Sequence, residues 1–271
     1  MRRKLVVGNW KLNGDLANNA ILMEALKEKL KTQSEVDVAI CVPFTYLFQA
    51  QALLEGSNIA WGAQNASQFD TGAYTSSISA NMIAEFGCQY VIIGHSERRT
   101  LSNESNQKAA KRVARVVDAG LTPIYCVGET LEEYLAGISE NVVKNQIIAI
   151  THGLEEDVFE RAKNVEMVIA YEPVWAIGNG QAATPFQAQT MHAFIRRLIA
   201  KVDAKFADKI RIIYGGSMTP ENAKSLLAMP DVDGGLIGRC ALSADDFSQI
   251  AIQAFDCHET GSNTNIHYMI K

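Results

Sequence analysis

Short apolar runs alternate with longer amphipathic ones along the chain. Runs of strand length occur at 4–8, 36–42, 59–63, 90–94, 122–127, 165–171, 210–214 and 234–237. Each is followed by a stretch whose apolar residues recur at the helical period, at 16–31, 45–54, 80–86, 107–119, 131–150, 185–202, 220–227 and 244–255. Regular strand–helix alternation is the pattern of βα units around a parallel sheet. Eight such units, with no Pro- or Gly-rich linker between two halves, predict a closed (β/α)8 barrel in one domain spanning residues 1–255. The alternative is an open doubly wound sheet, which calls for a glycine fingerprint after its first strand. Gly8-Asn9-Trp10-Lys11-Leu12-Asn13-Gly14 does not supply one. Residues 256–271 are polar and rich in Asn, Thr and Ser, and read as a tail beyond the last helix.

Composition narrows the classes of partner. With 271 residues and 48% hydrophobic content, the chain can bury a large core, and its formal charge of −5 argues against a nucleic-acid binder, which needs a basic face. The N-terminus carries Arg2, Arg3 and Lys4, but its apolar stretch is too short for a signal peptide. No segment has the length of a membrane span. The five cysteines (Cys41, Cys88, Cys126, Cys240, Cys257) are scattered, with no Cys-x-x-Cys pair, which fits reduced thiols in a cytoplasmic protein and supports neither a disulfide framework nor a metal site. Glycosylation-type triplets at Asn65 and Asn103 read as chance matches in a chain without a secretory signal.

In a barrel of this kind, function gathers where strands end and loops begin. The first strand is followed by Asn9 and Lys11, the fourth by His95 and Glu97, and the sixth by Glu172. The seventh and eighth are followed by Gly215-Gly216-Ser217 and Gly238. Each has a plain structural reading taken alone: a solvated lysine, a loop histidine, a capping carboxylate, an ordinary turn. Together they bring a cation, an imidazole, two carboxylates and glycine-rich loops to one face. Pro173 prevents a helix from starting directly on Glu172, and Gly178 and Gly180 supply freedom farther along, as at the root of a closing lid. Ser96 and Arg99 suggest that a short helix begins beside His95, where backbone N–H groups disfavour an imidazolium. The glycine loops after strands seven and eight fit backbone amides offered to a phosphate, with Lys11 as counter-charge. Such a set suits proton shuttling on a small phosphorylated carbonyl compound, with Glu172 taking a proton beside the carbonyl and His95 and Lys11 steadying the enediolate oxygens.

Four segments carry a resemblance. Gly8-Asn9-Trp10-Lys11, Gly94-His95-Ser96-Glu97-Arg98-Arg99, Ala170-Tyr171-Glu172-Pro173-Val174-Trp175-Ala176-Ile177-Gly178 and Tyr214-Gly215-Gly216-Ser217 occur in the order found in the triosephosphate isomerase family, and residues 4 to about 255 resemble that family throughout. The resemblance implies interconversion of dihydroxyacetone phosphate and D-glyceraldehyde 3-phosphate without a cofactor or metal, in glycolysis and gluconeogenesis. By matching motif, Asn9 and Lys11 are substrate contacts, His95 is the neutral electrophile, Glu172 the base and Glu97 a supporting charge beside Lys11. The amides of Gly178, Ser217 and Gly238 contact phosphate. The resemblance further implies a homodimer in which loop 64–79 enters the partner, with Thr75 as the reaching residue. Glu129 and Tyr171 anchor the open lid through Trp175, and Tyr214 and Ser217 hold it closed.

The chain departs from the family pattern at several positions. Arg239 follows Gly238 where the family has a second glycine, so an amide expected to meet phosphate belongs to a residue with a long cationic side chain. Ser76-Ser77 replaces Gly-Glu in the dimer loop, which removes an acidic partner for Arg98 across the interface. The lid reads Asn179-Gly180-Gln181-Ala182-Ala183 where Thr-Gly-Lys is usual, an altered hinge with no catalytic atom removed. Two other readings stand beside the isomerase. A phosphosugar aldolase or epimerase would need a Schiff-base lysine on strand six or a metal cluster, which 165–171 lacks. A silent homologue kept as a binding or surface protein would not need Lys11, His95 and Glu172 together.

Overall fold

The computed structural model describes residues 2–177 and 182–261. Eight parallel strands close into a barrel in sequence order: β1 Leu5–Asn9, β2 Asp37–Val42, β3 Ile59–Ala63, β4 Tyr90–Ile93, β5 Thr122–Val127, β6 Val168–Tyr171, β7 Arg211–Tyr214 and β8 Gly234–Ile237. β1 closes the ring by pairing with both β2 and β8. The outer layer is made of α1 Leu16–Leu30, α2 Leu47–Leu54, α3 Ala80–Ala84, α4 Ser96–Leu101, α5 Asn106–Asp118, α6 Leu131–Leu135, α7 Ser139–Thr151, α8 Glu156–Asn164, α9 Pro185–Ala200, α10 Ala204–Lys209, α11 Pro220–Leu227 and α12 Ala244–Gly261.

Strand alternation divides the core into two shells. Leu5, Val7, Ala39, Cys41, Ile92, Ile124 and Ile213 point inward and fill the barrel, while Val6, Ile40, Val91, Tyr125 and Ile212 point outward against the helices. Several helices start on side-chain caps that satisfy free N–H groups. Asp15 accepts from the Asn18 N–H, and Thr184 and Thr219 form capping boxes with Gln187 and Asn222, each followed by a proline.

Several predicted boundaries shift for local reasons. The stretch 131–150 is two helices, because Gly137 takes φ +71 between α6 and α7. β6 begins at Val168 and not at Val165, since Val165 terminates α8 and Glu166 turns the chain at φ 54. α12 runs on to Gly261, past the expected end at Phe255. Helices α8 and α10 were not foreseen from the pattern. Among the described residues, no helix is long and apolar enough to cross a membrane.

Candidate active site

The catalytic candidates all sit where strands of the barrel end. Beyond β4, Gly94 at φ +73 turns the chain so that His95 caps α4. The cap bond is unusual: the imidazole Nδ1 accepts the backbone N–H of Glu97 at 3.2 Å. Directly after β6, Glu172 is 2% exposed. Its Oε2 accepts the Ser96 N–H at 2.8 Å and its Oε1 lies 2.8 Å from His95 Nε2. A Cβ at position 215 would stand 2.8 Å from Cγ of Glu172, so Gly215 leaves the room this carboxylate occupies.

Lys11 carries backbone strain. Its φ of 54 lies in the left-handed region, which costs a non-glycine residue about 1–3 kcal/mol. Three contacts hold it there. The Asn9 Oδ1 accepts its N–H at 3.1 Å, the Gln64 Nε2 donates to its carbonyl at 2.9 Å, and its Nζ pairs with Glu97 Oε1 at 2.5 Å. Gln64 escaped the sequence reading, because a long-range bond from a loop amide to a carbonyl leaves no periodic mark.

Glu172 is ionised on electrostatic grounds, and His95 is neutral on the geometry of its hydrogen bonds. Burial alone would raise the carboxyl pKa; a positive charge on His95 lowers it most, and the hydrogen bonds from His95 and the Ser96 N–H and the charge of Lys11, all of which remain when the ring is neutral, lower it further. For His95, burial opposes a charge while the Glu172 carboxylate favours one, and on charges alone the carboxylate prevails. The backbone decides otherwise. The Glu97 N–H points at Nδ1, so a proton on that nitrogen would forfeit the bond and face the N–H head-on. The ring is therefore the Nε2–H tautomer, with its one hydrogen directed at Glu172.

A cavity of about 340 Å³ opens onto these groups, in the size range of small-ligand sites. Asn9, Lys11, His95 and Glu172 line it together with Gly215, Gly216, Ser217, Gly238 and Arg239. Ile177, Ala182, Met218, Thr219, Asn222, Leu236 and Cys240, none of them a site candidate from the sequence alone, line it as well. Two expected phosphate contacts differ in standing. A Cβ at position 238 would meet Lys11 Cε at 3.6 Å, an ordinary contact, so Gly238 lies beside the stem of that lysine with little room to spare. The Ser217 N–H instead donates to the Ala176 carbonyl at 3.1 Å. Gly178 lies outside the described residues. Arg239 avoids positive φ, so its backbone tolerates a side chain, and it opens a short 3₁₀ turn, Arg239–Leu242. A wider depression of about 880 Å³ lies at the opposite end of the barrel, but its charges are largely satisfied by one another, as in the Arg3–Asp37 and Arg211–Asp37 pairs, both at 2.6 Å. The smaller cavity is the one that brings Lys11, His95 and Glu172 together.

The described residues on either side of positions 178–181 are tied down. Glu129 Oε1 accepts from the Tyr171 hydroxyl at 3.0 Å and from Trp175 Nε1 at 2.8 Å, and Tyr134 stacks on Trp175. At the far end the Tyr214 hydroxyl accepts the Ala183 N–H at 3.1 Å. Contacts expected of open and closed lids thus occur together. Elsewhere, loop 64–79 is organised by stacking of Phe69 on Tyr74, with ring centroids 3.8 Å apart, and Thr75 is exposed at its tip. Arg98 has an acidic partner within its own chain: its Nε lies 2.7 Å from Glu104, a carboxylate it shares with Arg112.

The geometry agrees with what the chain resembles as a whole. The sequence profile described as triosephosphate isomerase matches residues 4–254. Triosephosphate isomerase of Herminiimonas arsenicoxydans is 52% identical over 250 residues, covering 92% of this chain and 98% of the relative. That of Thiobacillus denitrificans is 51% identical over 250 residues, with the same coverage, and that of Cupriavidus necator is 48% identical over 250 residues, covering 92% of this chain and 99% of its own. The chain belongs to the triosephosphate isomerase family.

Proposed function

We propose that this chain interconverts dihydroxyacetone phosphate and D-glyceraldehyde 3-phosphate, with Glu172 as base, His95 as electrophile and Lys11 as the cation at the reacting oxygens. The observation that carries these roles is a buried carboxylate gripped by the Ser96 N–H and the His95 Nε2, facing one cavity with Lys11. Glu172 takes a proton from the carbon beside the carbonyl, and the C–H electron pair becomes the enediolate double bond while the carbonyl oxygen takes up negative charge. The Nε2–H of His95 turns from Glu172 to that oxygen as substrate enters, and Lys11 balances the charge. The hydroxyl proton passes to the former carbonyl oxygen, and Glu172 returns its proton to the neighbouring carbon. Hydrogen moves within one molecule and no electrons leave it, so the reaction calls for no cofactor.

Asn9, Glu97 and Gln64 serve as positioning residues for Lys11 on this reading, and the amides near Gly178, Ser217, Gly238 and Arg239 serve the phosphate. Use of the Ser217 amide requires it to leave the Ala176 carbonyl as substrate binds. The Glu129–Trp175 and Tyr214–Ala183 bonds support a lid that closes over the enediolate, where exclusion of water protects it from losing phosphate.

The reading extends to a homodimer through loop 64–79. Leu12, Phe44, Phe48, Met82 and Leu101 are exposed on the first four βα units, the part of the chain that also carries that loop, and are apolar residues suited to burial against a second copy. A cytoplasmic location in glycolysis and gluconeogenesis, with no nucleic-acid or membrane partner, fits the acidic chain and the unpaired Cys41, Cys88, Cys126 and Cys240. The test is a coupled assay in which dihydroxyacetone phosphate formed from D-glyceraldehyde 3-phosphate is consumed by an NADH-dependent dehydrogenase. Folded protein that leaves the triose phosphates unconverted would sink the proposal.

A further inference from the structure

Arg239 lines the same cavity as Lys11 and Glu172 and is exposed at the start of the turn after β8. Among the described residues its guanidinium has neither an ion-pair nor a hydrogen-bond partner. Arg98, Arg112, Arg196 and Arg211, by contrast, are each closed off by a carboxylate. The charges around the cavity give that freedom a use. Lys11 is offset by Glu97 at 2.5 Å, and Glu172 must be anionic to act as a base, so these groups alone meet a phosphate dianion with net negative charge. The chain as a whole, at −5, repels it as well. Arg239 restores the local balance, and a guanidinium can offer two parallel N–H donors to two phosphate oxygens.

We propose that Arg239 is a specificity-determining cation of this site: it draws the phosphate monoester dianion to the cavity mouth and holds its outward oxygens, above the backbone amides. The proposal rests on the reading that this cavity takes the phosphate of the triose. Because the side chain remains at the exposed rim, its contribution is sensitive to salt, acting on capture of substrate more than on the proton transfer beneath.

Three full-length variants test it: Arg239→Gln, Arg239→Lys and Lys11→Met, each measured for the inhibition constant of inorganic phosphate and for kcat/KM at low and high ionic strength. At low salt Arg239→Gln raises the phosphate inhibition constant and lowers kcat/KM by about 3- to 10-fold each, or ~0.7–1.4 kcal/mol at 1.4 kcal/mol per decade. The kcat stays near that of the parent, and the difference shrinks at high salt. Arg239→Lys recovers most of the loss, because it keeps the charge. If Arg239→Gln leaves phosphate inhibition unchanged while Lys11→Met weakens it, the assignment of Arg239 is overturned and the phosphate cavity stands. If neither variant changes phosphate inhibition, the reading of the cavity falls with it.

Discussion

The Nε2 of His95 lies 2.8 Å from Oε1 of Glu172, so the electrophile and the base of the proposed reaction are hydrogen-bonded to each other before substrate arrives. The bond does two things. It helps keep Glu172 ionised in a buried setting, and it aims the single N–H of the imidazole at the space where a substrate oxygen must come. Substrate entry exchanges one acceptor for another at the same donor, with no new group to assemble.

If the Glu97 N–H fixes the tautomer as the geometry implies, His95 stays neutral through the physiological range. Nitrogen-15 NMR of the labelled protein between pH 5 and 8 should give one protonated Nε2 and one bare Nδ1 for this residue. A doubly protonated ring at pH 7 would overturn the assignment of a neutral electrophile, and with it the role of the Glu97 N–H.

The buried His192 makes the stability of the fold depend on pH. It is fully enclosed between Tyr171 and Tyr214, its Nδ1 lies 3.1 Å from the Asp231 carbonyl, and burial pushes its pKa from 6.5 down to about 4. Between those values the unfolded chain binds a proton that the folded one refuses, so stability falls as pH drops from 6.5 towards 4 and this contribution levels off below. The loss is roughly 3–4 kcal/mol at most, at about 1.4 kcal/mol per pKa unit. Glu129, whose carboxyl burial raises, opposes it in part of the same window, so the difference between parent and variant isolates the histidine. Urea unfolding at several pH values should give a flatter profile for His192→Gln; parallel profiles would contradict the account.

Loop 64–79, the proposed dimer contact, offers a third outcome. Arg98 and Arg112 share Glu104, leaving one positive charge in excess beside the loop that carries Ser77. Ser77→Glu should tighten the dimer by about 0–1 kcal/mol, and more at low salt, since Arg98 is already paired within its chain. Sedimentation over a range of protein and salt concentrations reads this directly. A native monomer, or a variant that dimerises less well at low salt, would refute it.

Much of this architecture is legible in the residues themselves. β3, β5, β8 and α11 fall where the apolar pattern puts them, because a short apolar run bounded by turn residues has few other ways to be buried. The convergence of Lys11, His95 and Glu172 follows from strand ends meeting at one rim of a closed barrel. The break at Gly137 was hidden, since the apolar period of α6 and α7 continues in phase across it. The grip of Gln64 on Lys11, the Ser217 N–H turned to Ala176 and the Glu104 partner of Arg98 were hidden too. The first two join residues more than 40 positions apart, and the third, only six apart, depends on how the chain turns after α4.

The central claim is that Glu172 removes the substrate proton, and the kcat of Glu172→Gln tests it most directly. The amide is nearly isosteric and fits the space beside Gly215, so the fold survives. A positioned general base contributes about 10²–10⁴ in rate, so kcat should fall at least ~100-fold while KM moves little by comparison. A folded Glu172→Gln protein that turns over at close to the parent rate would contradict the account.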